Sequence, residues 1–203
     1  MSAPPETLVI FARAPRVGTV KTRLAASIGD VGALAIYRSL CERTIAMARS
    51  TGLPLAIAFT PSDALDEMRE WLGDDLQYEA QCDGDLGARM AEAVAHFSSG
   101  GPNRIAVIGT DCPTITAATV RSALDALADA DAVFGPASDG GYYLVAMRGA
   151  QVTLFHDVPW SSASTLAVTL ARASVAGLRV SMLDVESDID TIDDWTRYQA
   201  GPR

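Results

Sequence analysis

Short apolar runs alternate with stretches of helical periodicity along the whole chain. Residues 7–13 (TLVIFAR), 53–60 (LPLAIAFT), 76–81 (LQYEAQ), 104–111 (RIAVIGTD) and 178–185 (LRVSMLDV) read as strands, short runs bounded by turn residues. A helical stretch opens near Lys21. A longer helix is predicted over about 30–50, where Leu34, Tyr37, Cys41 and Met47 recur at roughly helical spacing. Further helices are predicted after Ser62 as cap to Leu72, over 86–97, after Thr116 as cap, over 163–176, and after Asp190 or Thr191. Residues 131–137 and 142–148 form two more strands, divided by the turn SDGG, which introduces antiparallel pairing.

Strands alternating with helices predict a three-layer α/β/α sandwich, its sheet mixed but mostly parallel. In such folds ligands sit beyond the carboxyl ends of the strands. Arg13, Asp111 and Asp139 all fall at such ends, so three distant segments are expected to meet over one crevice.

Composition narrows the class. A chain of 203 residues, 49% hydrophobic and 20% charged, suits one well-packed domain spanning 1–203. No run nears the roughly 18 apolar residues of a membrane span, and MSAPPET lacks the pattern of a leader, so a cytoplasmic location and no membrane span are expected. Cys41, Cys82 and Cys112 are widely spaced with no CxxC pair, which indicates neither a disulfide framework nor a thiolate zinc site. A net charge of −9 argues against nucleic-acid binding, whose mark is a broad basic face.

Against that acidic background one stretch stands apart. FARAPRVGTVKTRL (11–24) carries Arg13, Arg16, Lys21 and Arg23, Lys21 is the only lysine, and no Asp or Glu lies between Glu6 and Asp30. It is not a Walker P-loop: Ala14 stands where the first glycine belongs, and two residues separate Gly18 from Lys21. The physics of an anion site remains, with Gly18 permitting close backbone approach, free amides at a helix start, and cations to hold a phosphate. The alternative is a solvated basic loop. In the anion-site reading Lys21 is expected to be exposed, so that Lys21→Met weakens donor binding with little loss of stability.

Asp111 ends an apolar strand, where an unpaired carboxylate is costly. Beside a polyphosphate it would meet repulsion of about 4 kcal/mol per unit charge at ~4 Å and an effective dielectric of ~20, so a cation must intervene. Oxygen donors in a chain with two histidines select Mg²⁺ or Mn²⁺ over zinc. Asp111 reads equally as a cap for the following turn. Asp139 faces the expected crevice or serves only the turn through Gly140 and Gly141. In QCDGDLGARM, Gly84, Asp85, Leu86 and Gly87 suit backbone recognition of a base or ribose, or an ordinary helix start. His96 lies in a helix and His156 in a loop, and no GxSxG segment supports a Ser-His-Asp hydrolase. Trp160, in PWSSAST (159–165), anchors its loop or stacks on an acceptor.

Taken in order, FARAPRVGTVKTRL, QCDGDLGARM, IGTDCP, GPASDGGYYLV, VPWSS and DIDTIDDW resemble the motifs of the bacterial DUF2064, or glycosyltransferase-like, family of the nucleotide-diphospho-sugar transferase (GT-A) superfamily. KTRL also looks like the KSRL segment of 2-phospholactate guanylyltransferases. The resemblance implies a Rossmann-like mixed sheet with a nucleotide over the strand ends. It makes Asp111 the counterpart of a metal-binding aspartate, and Asp190 similar to a second metal ligand of cytidylyltransferases. Ile192 and Asp193 depart from that family's VDTPEDL, and Gly109 and Thr110 replace the DxD triplet of many glycosyltransferases.

The reading that follows is a metal-dependent transferase using a nucleotide phosphate donor. Arg13, Gly18, Lys21 and Arg23 would hold phosphates, Gly84–Gly87 the nucleoside, Asp111 and Asp190 the ion, with Lys21, Asp111 and Asp139 as catalytic candidates. Either a nucleotide-sugar gives up its sugar to an unidentified small acceptor, or an NTP gives its nucleotidyl group to a phosphorylated one. An inert nucleotide-binding module is the third alternative. The oligomeric state stays open, a homodimer included.

Overall fold

The computed structural model describes residues 4–98 and 103–201; residues 1–3, at the start of the stretch read for a leader, lie outside them. A seven-stranded sheet runs β3-β2-β1-β4-β6-β5-β7. Its strands are β1 (Glu6–Arg13), β2 (Leu55–Thr60), β3 (Gln77–Ala80), β4 (Arg104–Ile108), β5 (Ala132–Pro136), β6 (Tyr142–Arg148) and β7 (Val180–Met182). Only β6 runs against its neighbours, β4 and β5, as the SDGG turn requires. The predicted mixed, mostly parallel Rossmann-like sheet is therefore present.

Alternation along β1 splits the core in two. Leu8 and Ile10 face a cluster with Cys41, Ile45, Met68 and Leu124, under α1 (Thr22–Ser50), α2 (Leu65–Leu72) and α4 (Ala117–Ala126). Val9 faces Met90, Val94, Phe155 and Ala173, under α3 (Leu86–Ser98), a 3-10 turn (Val152–Phe155) and α5 (Thr165–Val175). These two packed faces are the three predicted layers. By length and composition α1 could cross a membrane. Its buried face, including Leu40, Cys41 and Ile45, is spent on the core instead.

Several boundaries differ from expectation. The stretch at Lys21 and the helix over 30–50 are one element, α1, interrupted where Gly29 leaves helical geometry at φ 77°. Ser62 does not cap α2, whose N-cap is Ala64. Strand β4 stops at Ile108, so Asp111 stands past its end, on the loop. The strand predicted over 178–185 pairs regularly only at Val180–Met182. Thr116 and Thr191 do cap α4 and α6 (Ile192–Gln199), each in a reciprocal capping box.

Candidate active site

The residues after β7 build the site. Rather than ending at the sheet edge, this segment crosses the carboxyl ends of the strands: Glu186 N donates to Pro136 O at 3.0 Å, and Ile189 N to Asp111 O at 2.8 Å. Ile189 is 2% exposed and pins the segment into the protein. Its neighbours Asp188 and Asp190 are thereby held on either side, next to Asp111.

Lys21 meets this acidic edge from the other direction. As the N-cap of α1 it adopts left-handed backbone geometry, φ 49° and ψ 46°, with no side-chain cap of its own. Its side chain is 4% exposed, and Nζ lies 2.9 Å from Asp111 Oδ1 and 3.2 Å from Asp190 Oδ1. Nζ also donates to the Ile189 carbonyl. The expected exposed lysine is thus corrected: burial and three acceptors fix it, because a cation withdrawn from water needs full compensation. Arg23 flanks it, with Nη1 3.1 Å from Asp190 Oδ2.

Two cavities meet at Asp111. The larger, about 670 Å³, is open and is lined by Arg13, Lys21, Arg23 and Arg89 against two carboxylates, Asp111 and Asp190. Thr22 and Arg23, at the uncapped start of α1, belong to the same wall. The smaller, about 310 Å³, has Asp111, Asp139 and Asp188 together with Tyr142, Trp160 and Ser161 in its wall, and no Lys, Arg or His among the described residues. Phe11, Leu86, Gly109 and Ser161 are common to both.

The smaller cavity's charge is visible in Asp188. Burial first, and then the charges of Asp111, Asp139 and Asp190, push its carboxyl up to about 7, with Lys21 opposing. In the smaller cavity oxygen donors are plentiful and negative charge is in excess, which suits a hard divalent ion. Among the described residues, however, no three His, Cys, Asp or Glu side chains are gathered to hold one unaided. The space between Asp111 and Asp190, the pair expected to bind metal, is taken by the Lys21 ammonium.

The other expected residues divide. Arg13 lines the larger cavity, while its backbone amide donates to the Tyr37 hydroxyl at 2.7 Å and its carbonyl accepts from the same hydroxyl at 2.7 Å. Gly18, at φ 77°, lies outside both walls and near the Asp30 carboxylate, so it does not form the expected cradle. Arg16 is drawn away by Asp63 at 3.3 Å and Glu67 at 2.9 Å. Of Gly84 to Gly87, only Leu86 reaches the cavities. Asp85 Oδ1 accepts from Ala88 N at 2.8 Å, a helix-start role, and Gly84 O accepts from Arg89 Nε at 3.0 Å. A Cβ on Gly87 would lie 2.6 Å from Trp160 Nε1, so that glycine lets the Trp160 ring sit against α3. Asp139 Oδ1 accepts from Gly141 N at 2.9 Å, shaping the turn while its residue still lines the smaller cavity.

Arg89 and Asp188 were not singled out by the sequence. Asp188 sits among six acidic residues in DVESDIDTIDDW, and only the D-I-D alternation around buried Ile189 marks it.

Comparison with known proteins follows the same geometry. A candidate nucleotide-diphospho-sugar transferase from Desulfovibrio desulfuricans is 30% identical, with a TM-score of 0.90 over 97% of this chain and 87% of that one. A nucleotidyl transferase from Methanothermobacter shares the fold at 18% identity and a TM-score of 0.64, over 98% of this chain and 97% of its own. So does a Mycobacterium tuberculosis protein solved with manganese, at 19% identity and a TM-score of 0.60, over 98% of this chain and 100% of its own. No curated protein matches the chain. The family model described as "Uncharacterized protein conserved in bacteria (DUF2064)" matches residues 44–162, and the chain belongs to that family.

Proposed function

We propose that this protein is a transferase using a nucleotide phosphate donor, acting as one domain, and most specifically a glycosyltransferase that takes a nucleotide-diphospho-sugar. The carrying observation is the division of charge at Asp111: a cavity with four cations on one side, a cavity with three aspartates and no cation on the other. The first suits a diphosphate. The second repels an anion, and suits an uncharged, hydroxyl-rich group that aspartates can accept hydrogen bonds from and Trp160 and Tyr142 can pack against.

In this reading Arg13, Arg23 and Arg89 grip the phosphates, with the start of α1 adding free amides. Lys21 holds Asp111 and Asp190 in place and keeps their charges from repelling the donor. Asp139 and Asp188 orient the sugar or an acceptor hydroxyl. The residues fit Mg²⁺ or Mn²⁺ by donor type and by charge: Asp111 and Asp188 would hold it, Asp190 being engaged by Lys21 and Arg23. When bound, such an ion would neutralise the charge that develops on the departing diphosphate. The three free cysteines suit a reducing, cytoplasmic compartment.

A second reading is nucleotidyl transfer from an NTP. It is favoured by the shared fold of the Methanothermobacter nucleotidyl transferase and by the size of the cationic cavity. Incubation with Mn²⁺ and panels of nucleotide-sugars, NTPs and acceptors separates the two. Release of nucleoside diphosphate supports the first reading, and release of pyrophosphate replaces it with the second. Tight binding without turnover across the acceptor panel would leave only a binding module.

A further inference from the structure

Among the described residues, non-glycine residues with positive φ are confined to Lys21, Asp157 and Ser161. Two of them, Lys21 and Ser161, line the cavities at Asp111. Left-handed backbone is unfavourable for a residue with a side chain, and it persists where surrounding structure imposes it. Ser161, at φ 57°, is imposed from both sides. Before it, Trp160 is packed against Tyr142 and Phe155, with ring centroids 6.2 and 6.5 Å away. After it, Ala163 abuts Gly140 so closely that a Cβ there would lie 2.2 Å from the Ala163 carbonyl, and Leu166 N donates to Gly140 O at 2.9 Å.

The neighbouring hydroxyls are already used. Ser162 Oγ pairs with Ser164 Oγ at 3.0 Å, and Thr165 Oγ1 donates to the Pro159 carbonyl at 2.8 Å. Ser161 is exposed, is a wall of both cavities, and its hydroxyl has no partner among the described residues. A glycine would satisfy the backbone with less strain. What serine adds is a hydroxyl at the junction.

We infer that Ser161 is a specificity-determining residue, whose hydroxyl hydrogen-bonds the sugar of the donor where it passes from the cationic cavity into the aspartate-lined one. The inference rests on the nucleotide-sugar reading and names a contact that reading does not require. Braced on both sides, the backbone of Ser161 is held in place, so only the rotation of its side chain has to be ordered when the ligand arrives.

The test uses the full chain and its Ser161→Ala and Ser161→Gly variants with Mn²⁺. UDP-glucose, GDP-mannose, ADP-glucose and dTDP-glucose are titrated calorimetrically, each beside its free nucleoside diphosphate, and thermal melting is recorded. The expected result is a loss of about threefold to tenfold in affinity for the preferred nucleotide-sugar in both variants, the worth of one neutral hydrogen bond. Affinity for the matching diphosphate stays unchanged, and Ser161→Gly melts no lower than the parent. Parental affinity for the nucleotide-sugar in both variants overturns the role of Ser161 and leaves the donor reading standing. Equal loss for sugar-bearing and sugar-free nucleotides overturns it as well, showing a structural part only. Failure of the parent to bind any of the nucleotide-sugars removes the donor reading and this inference together.

Discussion

Lys21 and Asp111 form an ion pair of 2.9 Å whose halves live in different surroundings: the lysine side chain is 4% exposed, the aspartate 44%. The ammonium has given up water for Asp111, Asp190 and the Ile189 carbonyl, while the carboxylates keep part of their hydration. Lys21→Met therefore leaves two half-solvated aspartates facing each other without a counter-charge. The expected cost is about 2 kcal/mol of folding stability, below the ~3–5 typical of a fully buried pair, together with loss of turnover. Urea denaturation of the variant checks it, and an unchanged midpoint would mean that the lysine does not hold the segment around Ile189.

Arg23 shares Asp190 with Lys21 but is 70% exposed. An exposed pair of this kind contributes little to folding, so Arg23→Ala is expected to change stability by less than about 0.5 kcal/mol. Its guanidinium flanks the cationic cavity, so affinity for a nucleoside diphosphate should fall by about tenfold to a hundredfold, the worth of one charge-assisted hydrogen bond. Titrations at low and high salt read this directly, the difference between parent and variant shrinking as salt rises.

The layers, and the placing of Arg13, Asp111 and Asp139 towards the carboxyl ends of the strands, were legible because they follow from periodicity and from where strands end; the one crevice expected for all three is instead two cavities, with Arg13 in one wall, Asp139 in the other and Asp111 in both. What stayed hidden depended on chain path. Arg16 looks like part of the basic cluster in sequence, yet its partners Asp63 and Glu67 come from the β2–α2 loop and α2. Asp188 and Asp190 differ from four other acidic residues nearby only because Ile189, between them, is buried and hydrogen-bonded to the Asp111 backbone. The SDGG glycines read as a hairpin turn, which they are, but the approach of Ala163 to Gly140 involves a segment no local pattern connects to that turn.

That approach has a measurable consequence. Gly140 combines φ of 91° with a Cβ position 2.2 Å from the Ala163 carbonyl, a backbone contact that cannot swing aside. Gly140→Ala is expected to cost more than about 2 kcal/mol, since strain and overlap add. Gly149→Ala is the control: φ is 66°, but nothing lies within 4 Å, so only the left-handed strain of about 1–2 kcal/mol applies. Thermal melting of the two variants should place Gly140→Ala below Gly149→Ala, and the reverse order would refute the close approach.

Asp188 gives the metal-free protein a definite pH dependence. Its carboxyl, ordinarily near ~3.9, is pushed up to about 7 by burial and by the charges of Asp111, Asp139 and Asp190. Between those two values the unfolded chain has already released this proton and the folded one has not. The folded state then binds more protons, so unfolding free energy falls as pH rises from about 4 to about 7 and levels off above that. Asp188→Asn removes the titration, and is expected to flatten this part of the profile and to be more stable than the parent at pH ~8. Denaturant midpoints of both proteins at pH ~5 and pH ~8 decide it. The parent should lose more than the variant between the two, and parallel profiles would mean that Asp188 ionises in the folded protein as freely as in the unfolded chain.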